Sequence, residues 1–255
     1  MPEQIISRDK VYQPLGCLTD INLVSAFSTR SFQNMSLFYG DTKDSLNNRK
    51  NFLRGLGIDY QNLVCAEQIH SNCVRYVKEE DRGSGALSYH SSMPDTDAFI
   101  TDRRNLPLAL FTADCLSVFL YDPLTPAIGL VHAGWRGTKE NIIAKTVQLM
   151  QERFNTKPSS LYVGFGPAIR NCCYEVGADF KDFFSSGLIE RNSHCYLDLV
   201  GINREQALDS GVHKNNIFDA GICTSCRNSE FFSYRKEGKA CGRIISVIML
   251  KKQLC

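Results

Sequence analysis

Four apolar runs, each as long as a β-strand, follow one another closely in the middle of the chain. They cover residues 98–101, 106–112, 116–121 and 127–131. Asp122-Pro123 and Thr125-Pro126 are turn signals between the last two runs. Short apolar runs bounded by turn residues are typical of buried strands. The strands therefore cluster, without the regular alternation with helices that a Rossmann fold requires.

The rest of the chain adds further strands and a few helices. Strands are predicted at residues 22–29, 62–69, 73–77, 161–166 and 244–249, and near Ile217 and Phe231. Helices are predicted at 44–56, 178–184 and 203–210, and a loop at 81–96. Apolar residues from Ile142 to Phe154 recur at helical spacing and predict a helix of about four turns, with Gly137 or Thr138 near its N-cap. The order of the elements predicts a mixed, layered α+β fold.

Size and charge limit the class of protein. A chain of 255 residues that is 43% hydrophobic can bury one substantial core, so we expect a single domain over residues 1–255. Its 29 basic and 27 acidic side chains are well mixed along the sequence. No basic stripe is interleaved with aromatic residues, so nucleic acid is not expected as a partner.

The N-terminus and the cysteines indicate in which compartment of the cell the protein is expected. The start, Met1-Pro2-Glu3-Gln4, lacks a signal-peptide pattern, and no apolar run approaches the roughly 18 residues of a membrane helix. The cysteine count of 11 is odd, and several cysteines lie within apolar runs. This distribution is unlike the disulfide framework of a small secreted protein. We therefore expect a reduced, cytoplasmic protein without a membrane partner.

Three short motifs stand at or just past the ends of predicted strands. They are Gln68-Ile69-His70, Thr112-Ala113-Asp114-Cys115 and His132-Ala133-Gly134-Trp135-Arg136-Gly137. Together they offer one thiolate and two imidazoles, a set that binds zinc and leaves a fourth position open. Taken singly, a histidine or cysteine at such a place is more often an ordinary packed or hydrogen-bonded residue. Asp114 strengthens the interpretation for Cys115, because a carboxylate there can orient a ligand or carry protons.

The third motif also predicts an anion site. Its glycines let the backbone approach a ligand closely, and the amides of a helix N-terminus together with Arg136 suit phosphate. The alternative is an ordinary connection between a strand and a helix. Such a connection needs glycine but has little use for tryptophan, arginine and histidine together.

Two further segments near the C-terminus are candidates for a site. Cys223-Thr224-Ser225-Cys226 has zinc-ligand spacing, but a closed site needs two more ligands, and Cys241, Cys195 and His213 are unpatterned candidates. The zinc deaminase signature is absent, since no histidine is followed two residues later by glutamate. Phe232-Ser233-Tyr234-Arg235 is predicted to end a strand and either to line a substrate pocket or to form a surface.

On these residues the chain resembles the laccase-domain (YfiH-type) proteins, also called purine nucleoside phosphorylases of the multi-copper polyphenol oxidoreductase family. The resemblance spans nearly the whole chain, and the sequence from His132 to Gly137 is its most specific part. Besides the three motifs, the matching segments are Phe27-Ser28-Thr29-Arg30, Gly40-Asp41, Asn48-Arg49, Gly166-Pro167-Ala168-Ile169, residues 172–177, Asp198-Leu199, Cys223-Thr224, residues 232–235 and Gly242-Arg243.

The resemblance implies a fold, a metal and an activity. The fold is a mixed β-sandwich flanked by helices, layered α/β/β/α and related to bacterial deamidating toxins with a Cys–His pair. The metal is usually zinc, with copper as the alternative, and is held by His70, Cys115 and His132. The implied activities are phosphorolysis of adenosine, inosine, guanosine and methylthioadenosine, and deamination of adenosine.

Residue roles follow from the motifs and the resemblance together. We assign catalysis to Cys115, Asp114 and Arg136. We assign substrate binding to four residues: Arg30, Gln68, Tyr234 and Arg235. The expected partners are purine nucleosides and phosphate, and the expected state is a monomer or a weak homodimer.

The chain departs from the family pattern at three places. Ser117 stands where the family usually has proline, and Ser31-Phe32-Gln33-Asn34 stands where it usually has Gly-Gly. The loop on the nucleoside side is therefore expected to differ. Cys226 lies outside the family pattern.

Two other enzyme classes use the same residues. A cysteine hydrolase acting on cell-wall precursors would use Cys115 as the nucleophile and His132 as the base, without metal. A copper-dependent polyphenol oxidase is the other class. It is less well supported, because no methionine lies near the three motifs and the chain has only 5 histidines.

Overall fold

The computed structural model describes residues 5–6, 11–16, 18 and 22–252. Residues 1–4, on which the expectation about a signal peptide rests, lie outside the described residues. The strands are β1 (Ile5–Ile6), β2 (Val11–Tyr12), β3 (Leu23–Phe27), β4 (Val64–Cys65), β5 (Val74–Tyr76), β6 (Ala98–Thr101), β7 (Leu108–Thr112), β8 (Leu116–Asp122), β9 (Ala127–Ala133), β10 (Tyr162–Phe165), β11 (Glu175–Val176), β12 (Leu188–Arg191), β13 (His194–Leu197), β14 (Ile217–Asp219) and β15 (Ile244–Leu250). The α-helices are α1 (Thr42–Arg54), α2 (Trp135–Lys139), α3 (Ile142–Phe154), α4 (Leu199–Asp209) and α5 (Tyr234–Glu237). Short 3₁₀ helices cover Arg30–Phe32, Tyr60–Asn62, Glu79–Asp81, Tyr89–Ser91, Pro158–Ser160, Ala178–Asp182, Lys214–Asn216 and Gly238–Ala240.

The strands form two large mixed sheets and one small sheet. The first large sheet has the order β1-β2-β3-β15-β7-β4, and the second has the order β14-β10-β8-β9-β6-β5. Most neighbours are antiparallel, but β4 runs parallel to β7, β5 to β6 and β14 to β10. The small sheet has the order β11-β13-β12.

Alternate residues of the central strands face two different cores. On β6, Phe99 packs between the two large sheets, whereas Ile100 packs with residues of α3 and α4 on the outer face of the second sheet. On β7, Leu108 faces the layer between the sheets, and Ala109 faces the core that contains Phe52 of α1. Successive strand residues point to opposite faces, so strands covered on both faces read as continuous apolar runs.

These cores confirm the predicted α+β sandwich with helices on its outer faces. The strand predicted at 62–69 is much shorter, covering only Val64–Cys65. The segment around Phe231 is not a strand, and Tyr234 begins the short helix α5 instead of ending a strand. The helix predicted at 178–184 is a 3₁₀ helix over Ala178–Asp182. The expectation of a single domain stays a prediction.

The predicted helix after His132 is divided into two. Gly137 and Thr138 lie within α2, and the long helix α3 has Asn141 as its N-cap. Asn141 has a φ of 56°, in the left-handed region, which separates the two helices. The prediction that Gly137 or Thr138 lies near the N-cap of the long helix was therefore wrong.

Among the described residues, no helix has both the length and the apolar character needed to cross a membrane.

Candidate active site

His70, Cys115 and His132 meet where the two large sheets come together. His70 follows β4 of the first sheet, and Cys115 lies in the connection from β7 of the first sheet to β8 of the second. His132 is near the end of β9, which pairs with β8. The side-chain atoms available for a metal all lie within 4.8 Å of one another. The structure thus brings together the three residues that were predicted to bind metal.

One buried carboxylate contacts both histidines, His132 through its ring and His70 through its backbone. Asp97 Oδ1 lies 2.7 Å from His132 Nδ1 and accepts a hydrogen bond from the His70 backbone N–H at 3.1 Å. Asp97 Oδ2 accepts from the backbone N–H and the hydroxyl of Ser71, at 2.6 and 2.8 Å. With Nδ1 of His132 held by Asp97, its Nε2 is the nitrogen left for a metal. Carboxylates fix metal-binding imidazoles in this way.

Sequence reasoning missed Asp97, which precedes β6 and belongs to none of the three motifs. The only available signal was its position directly before a buried strand, where a carboxylate needs a partner. The orienting role had been suggested for Asp114, and the structure places Asp97 beside His132 in that role.

Asp114 joins three segments of chain. Its Oδ1 accepts a hydrogen bond from the Thr224 hydroxyl at 2.6 Å, and its Oδ2 accepts from the Arg235 backbone N–H at 2.7 Å. Its backbone has a φ of 86°, which turns the chain sharply just before Cys115. Asp114 therefore fixes the loop that carries Cys115. Its predicted part in proton transfer stays a prediction.

Gly134 leaves room for the side chains of Cys115 and His70. A Cβ at Gly134 would lie 3.1 Å from Cys115 Sγ and 3.1 Å from His70 Cδ2. Contacts this short are tighter than most side chains adopt, so a larger residue at this position would press on two of the three candidate ligands.

Electrostatics favour a charged pair between Cys115 and His132. Burial opposes ionisation of the Cys115 thiol, but His132 and His70 outweigh it and lower the pKa of Cys115. Burial also opposes protonation of His132, but the Cys115 thiolate and Asp97 raise the pKa of that imidazole. A thiolate is the form that both binds metals and acts as a nucleophile.

His70, Cys115 and His132 line a cavity of about 690 Å³. Trp135 and Arg136 lie on its wall next to the ligands, with Tyr174 also on the wall. Burial, followed by the negative charge of Cys115, raises the pKa of Tyr174, so its phenol stays neutral and can donate a hydrogen bond. The cavity has the size and mixed lining of a small-molecule site.

Arg136 lines the cavity with its guanidinium 4.5 Å from the centre of the Trp135 ring. Among the carboxylates that the structure describes, none pairs with it. Thr138, by contrast, is fully buried, and its hydroxyl accepts a hydrogen bond from Asn203. The anion site inferred from the sequence therefore depends on Arg136, because α2 is too short to offer a helix N-terminus of its own.

Of the four residues assigned to substrate binding, three line the cavity: Gln68, Tyr234 and Arg235. The amide of Gln68 exchanges two hydrogen bonds with the backbone of Phe111, at 2.8 and 3.0 Å. The guanidinium of Arg235 donates to the backbone oxygens of Cys173 and Glu175. Gln68 and Arg235 therefore also hold the wall in place.

Arg30 is not among the residues that line the cavity. Its guanidinium pairs with Glu237 at 2.5 Å and donates to the backbone oxygens of Asn228 and Phe231. It also stacks 4.3 Å from the centre of the Phe232 ring. These contacts give Arg30 a structural role in holding the segment before α5.

Comparison with known proteins identifies the family. Residues 23–251 match the sequence model of the family described as multi-copper polyphenol oxidoreductase laccase. The chain belongs to this family. The resemblance to laccase-domain, YfiH-type proteins is thereby confirmed.

Named relatives in the family are enzymes. The chain is 36% identical over 225 residues to the purine nucleoside phosphorylase YlmD of Geobacillus stearothermophilus, covering 84% of this chain and 82% of that protein. It is 29% identical to the adenosine deaminase RL5 of an unknown prokaryotic organism, covering 77% of this chain and 78% of that protein. The crystal structure of YlmD from Geobacillus stearothermophilus superposes with a TM-score of 0.90 at 31% identity, covering 98% of this chain and 100% of that one. This laccase-family chain is therefore an enzyme.

Proposed function

We propose that the chain is a zinc-dependent purine nucleoside phosphorylase with adenosine deaminase activity, acting on adenosine, inosine, guanosine and methylthioadenosine. The observation that carries the proposal is the cavity that holds two imidazoles and a thiolate within 4.8 Å of one another, beside an arginine that pairs with none of the described carboxylates. The names of the relatives support the choice of substrate. The cytoplasmic location and the monomer or weak homodimer stay predictions.

The donor set fits a catalytic zinc ion. His70, Cys115 and His132 would hold it, which leaves a fourth position for substrate or water. When bound, the ion would supply a Lewis acid that polarises oxygen and lowers the pKa of water. Copper is the alternative metal, and the same three side chains are ligands that it accepts.

In phosphorolysis, Arg136 would hold the phosphate. A phosphate oxygen forms a bond to the anomeric carbon of the ribose while the bond from that carbon to the purine nitrogen breaks. The electron pair of the broken bond leaves with the purine, which takes up a proton. That proton comes from the attacking phosphate, and Tyr174, neutral and on the cavity wall, can donate a hydrogen bond to the departing purine. Holding both reactants in one cavity supplies much of the rate enhancement.

Aromatic side chains on the cavity wall suit a purine ring. Phe38 contacts Tyr39 and Tyr89, with ring centres 4.8 and 4.7 Å apart, and all three line the cavity. Phe38 is 58% exposed, so a face of its ring is free for another ring to stack on. Aromatic pairs contribute about 0.5–1.5 kcal/mol beyond the area they bury.

In deamination, water would replace the amino group of adenosine, and ammonia would leave. The reaction needs a group that moves a proton from the water to the leaving nitrogen. We keep Asp114 in this role as a proposal, because the residue lines the cavity next to Cys115.

The test is to identify the products. The purified chain is incubated with adenosine or inosine, with and without phosphate, and the products are separated by chromatography. We expect free purine and ribose phosphate only when phosphate is present, and inosine from adenosine without it. No free purine from any nucleoside in the presence of phosphate would contradict the phosphorylase proposal.

The variant Arg136→Ala tests the proposed phosphate site. We expect a loss of roughly tenfold to hundredfold in kcat/KM for phosphorolysis, because a hydrogen bond to a charged group contributes about 1.5–3 kcal/mol. Deamination and metal content should change little. Lys139→Ala is the control, because Lys139 lies on the same helix but packs on Phe183. An unchanged dependence on phosphate in Arg136→Ala would refute the anion site.

A cysteine hydrolase, acting on cell-wall precursors, is the second candidate. It is favoured by the lowered pKa of Cys115 beside the imidazole of His132. In that mechanism Cys115 attacks a carbonyl carbon and His132 protonates the leaving group. A search for a covalent acyl adduct on the metal-free chain separates the two proposals. A metal-free chain that forms a covalent acyl adduct at Cys115 would favour the hydrolase.

A further inference from the structure

Four cysteines form a second cluster, apart from the residues that line the cavity. Their sulfur atoms all lie within 4.8 Å of one another. The cysteines are Cys172, Cys173, Cys223 and Cys226. The sequence offered Cys223 and Cys226 at zinc-ligand spacing without two further ligands. The fold supplies them from the adjacent pair at 172–173, whereas Cys195, Cys241 and His213 are not part of the cluster.

The backbone fixes the two segments side by side. Ala168 pairs with Cys223 in an isolated parallel bridge, with hydrogen bonds from Ala168 N–H to the Ile222 oxygen and from Thr224 N–H to the Ala168 oxygen, at 3.2 and 3.1 Å. Each segment then turns back on itself. Tyr174 N–H donates to the Arg170 oxygen at 2.8 Å, and Arg227 N–H donates to the Cys223 oxygen at 2.9 Å. The four thiols therefore converge because of the backbone.

The sulfur distances suit a tetrahedral metal. Cys226 Sγ lies 3.6 Å from Cys172 Sγ and 3.3 Å from Cys173 Sγ. Zinc bound by four thiolates at about 2.3 Å places neighbouring sulfurs roughly 3.8 Å apart. A disulfide needs about 2.05 Å and would join only two of the four. A single ion can use all four.

The surroundings suit a negatively charged centre. Zinc with four thiolates carries two negative charges. Guanidinium groups flank the cluster, because Arg235 donates to the Cys173 oxygen and Arg191 to the Asn171 oxygen.

We infer that Cys172, Cys173, Cys223 and Cys226 bind a structural zinc ion, distinct from the ion proposed for His70, Cys115 and His132. Binding converts the thiols to thiolates and releases their protons to solvent. With four protein ligands the site is closed and performs no chemistry itself.

The second ion would brace one wall of the cavity. Tyr174 follows Cys173 directly, and Thr224, which follows Cys223, donates its hydroxyl to Asp114. Arg235 is bound to the carbonyl groups of Cys173 and Glu175. A metal that joins the two segments holds these wall residues at fixed distances from Cys115.

The test counts metal in the full chain purified without added metal. Elemental analysis should give about two zinc ions per wild-type chain and about one in Cys226→Ser, whose side chain is exposed. Cys195→Ser, a cysteine outside the cluster, is the matched control and should keep both. His132→Ala should lose the other ion, and the double variant with Cys226→Ser should have none. If only the proposed catalytic site fails, the wild type holds one ion that Cys226→Ser removes and His132→Ala keeps.

Cobalt replacement gives an independent readout. The chain reconstituted with Co²⁺ should show intense sulfur-to-cobalt charge transfer, which falls strongly in Cys172→Ser and Cys226→Ser but not in Cys195→Ser. A zinc content that is unchanged in both Cys172→Ser and Cys226→Ser would overturn the inference. So would iron in place of zinc, or a wild-type chain whose thiol titration after unfolding without reductant shows a disulfide within the cluster.

Discussion

At the scale of single residues, Asp97 has the widest effect on the candidate metal centre. Its two oxygens take part in four hydrogen bonds with three residues of the centre: His70, Ser71 and His132. Because it is fully buried, no water can replace these bonds if the carboxylate is lost.

Asp97→Asn should weaken zinc binding by roughly tenfold to hundredfold, because the amide keeps the shape but loses the charge that orients the His132 imidazole. The measurement is competition for zinc against a chelator of known affinity. Asp102→Asn is the matched control, since its carboxylate binds the Tyr76 hydroxyl at 2.8 Å, outside the metal centre. Equal zinc affinity in Asp97→Asn and wild type would mean that Asp97 only supports the fold.

The sequence predicted individual residues well where a motif joined several chemical types. His70, Cys115 and His132 each end or follow an apolar run, and the structure brings them together. Asp97 was missed because its partner His132 is 35 residues away, and its position directly before a buried strand does not by itself point to a metal site. Arg30 was assigned to substrate because it ends a family motif, but its nearest carboxylate, on Glu237, takes its charge.

At the scale of elements, the break between α2 and α3 decides where Arg136 lies. Asn141 has left-handed backbone, and its N–H donates to the Thr138 oxygen at 3.1 Å. A continuous helix would carry the residues after His132 straight along the axis of α3. The break lets α2 turn back beside α4, where Asn203 donates to Thr138 at 2.8 Å. Sequence periodicity located α3 correctly but could not reveal a break of two residues.

Asn141→Ala should lower the free energy of unfolding by about 1 kcal/mol, because left-handed backbone is unfavourable for residues other than glycine and asparagine. Asn141→Gly should cost less, since glycine adopts this conformation freely. Urea unfolding measures both variants. Lys145→Ala, at an exposed position of α3, should remain within about 0.5 kcal/mol of wild type. An alanine variant as stable as the glycine variant would show that the break does not depend on this backbone angle.

At the scale of the whole molecule, the central strands could be predicted because they are buried on both faces. Runs such as Ala98–Thr101 and Leu116–Asp122 contain no exposed position. The order of the strands could not be predicted. β15, from the end of the chain, pairs between β3 and β7, with Val247 opposite Ala26 and Ala109. Such pairings join distant segments through general apolar complementarity, which leaves no local pattern in the sequence.

The stability of the whole molecule should depend on Asp219 in a pH-dependent way. Burial acts to raise the pKa of Asp219, but hydrogen bonds from Arg170 and the Gly221 N–H, with Arg204 nearby, lower it overall. Ionised Asp219 is thus favoured by folding. Its contribution is present above the unfolded pKa of about 3.9 and is lost as the pH falls through the lower folded pKa.

Asp219→Asn should therefore lower the free energy of unfolding clearly at pH 7 and progressively less as the pH falls below about 4. Thermal or urea unfolding over this range provides the measurement. Asp209→Asn removes the same charge from an exposed position of α4 and is the control. A stability difference from wild type that stays constant over the range would show that the ion pair with Arg170 is not its source.

The two sheets share the candidate metal centre between them. His70 follows a strand of the first sheet, His132 lies on the second, and Cys115 is on the connection from one to the other. An ion bound there would link the two sheets through its ligands. Separating the two sheets at this edge would break the bonds to the metal. The free energy of metal binding would therefore add to the free energy needed to separate the sheets. Catalysis and mechanical cohesion would then depend on the same few bonds, and losing the ion would loosen the sandwich where substrate enters.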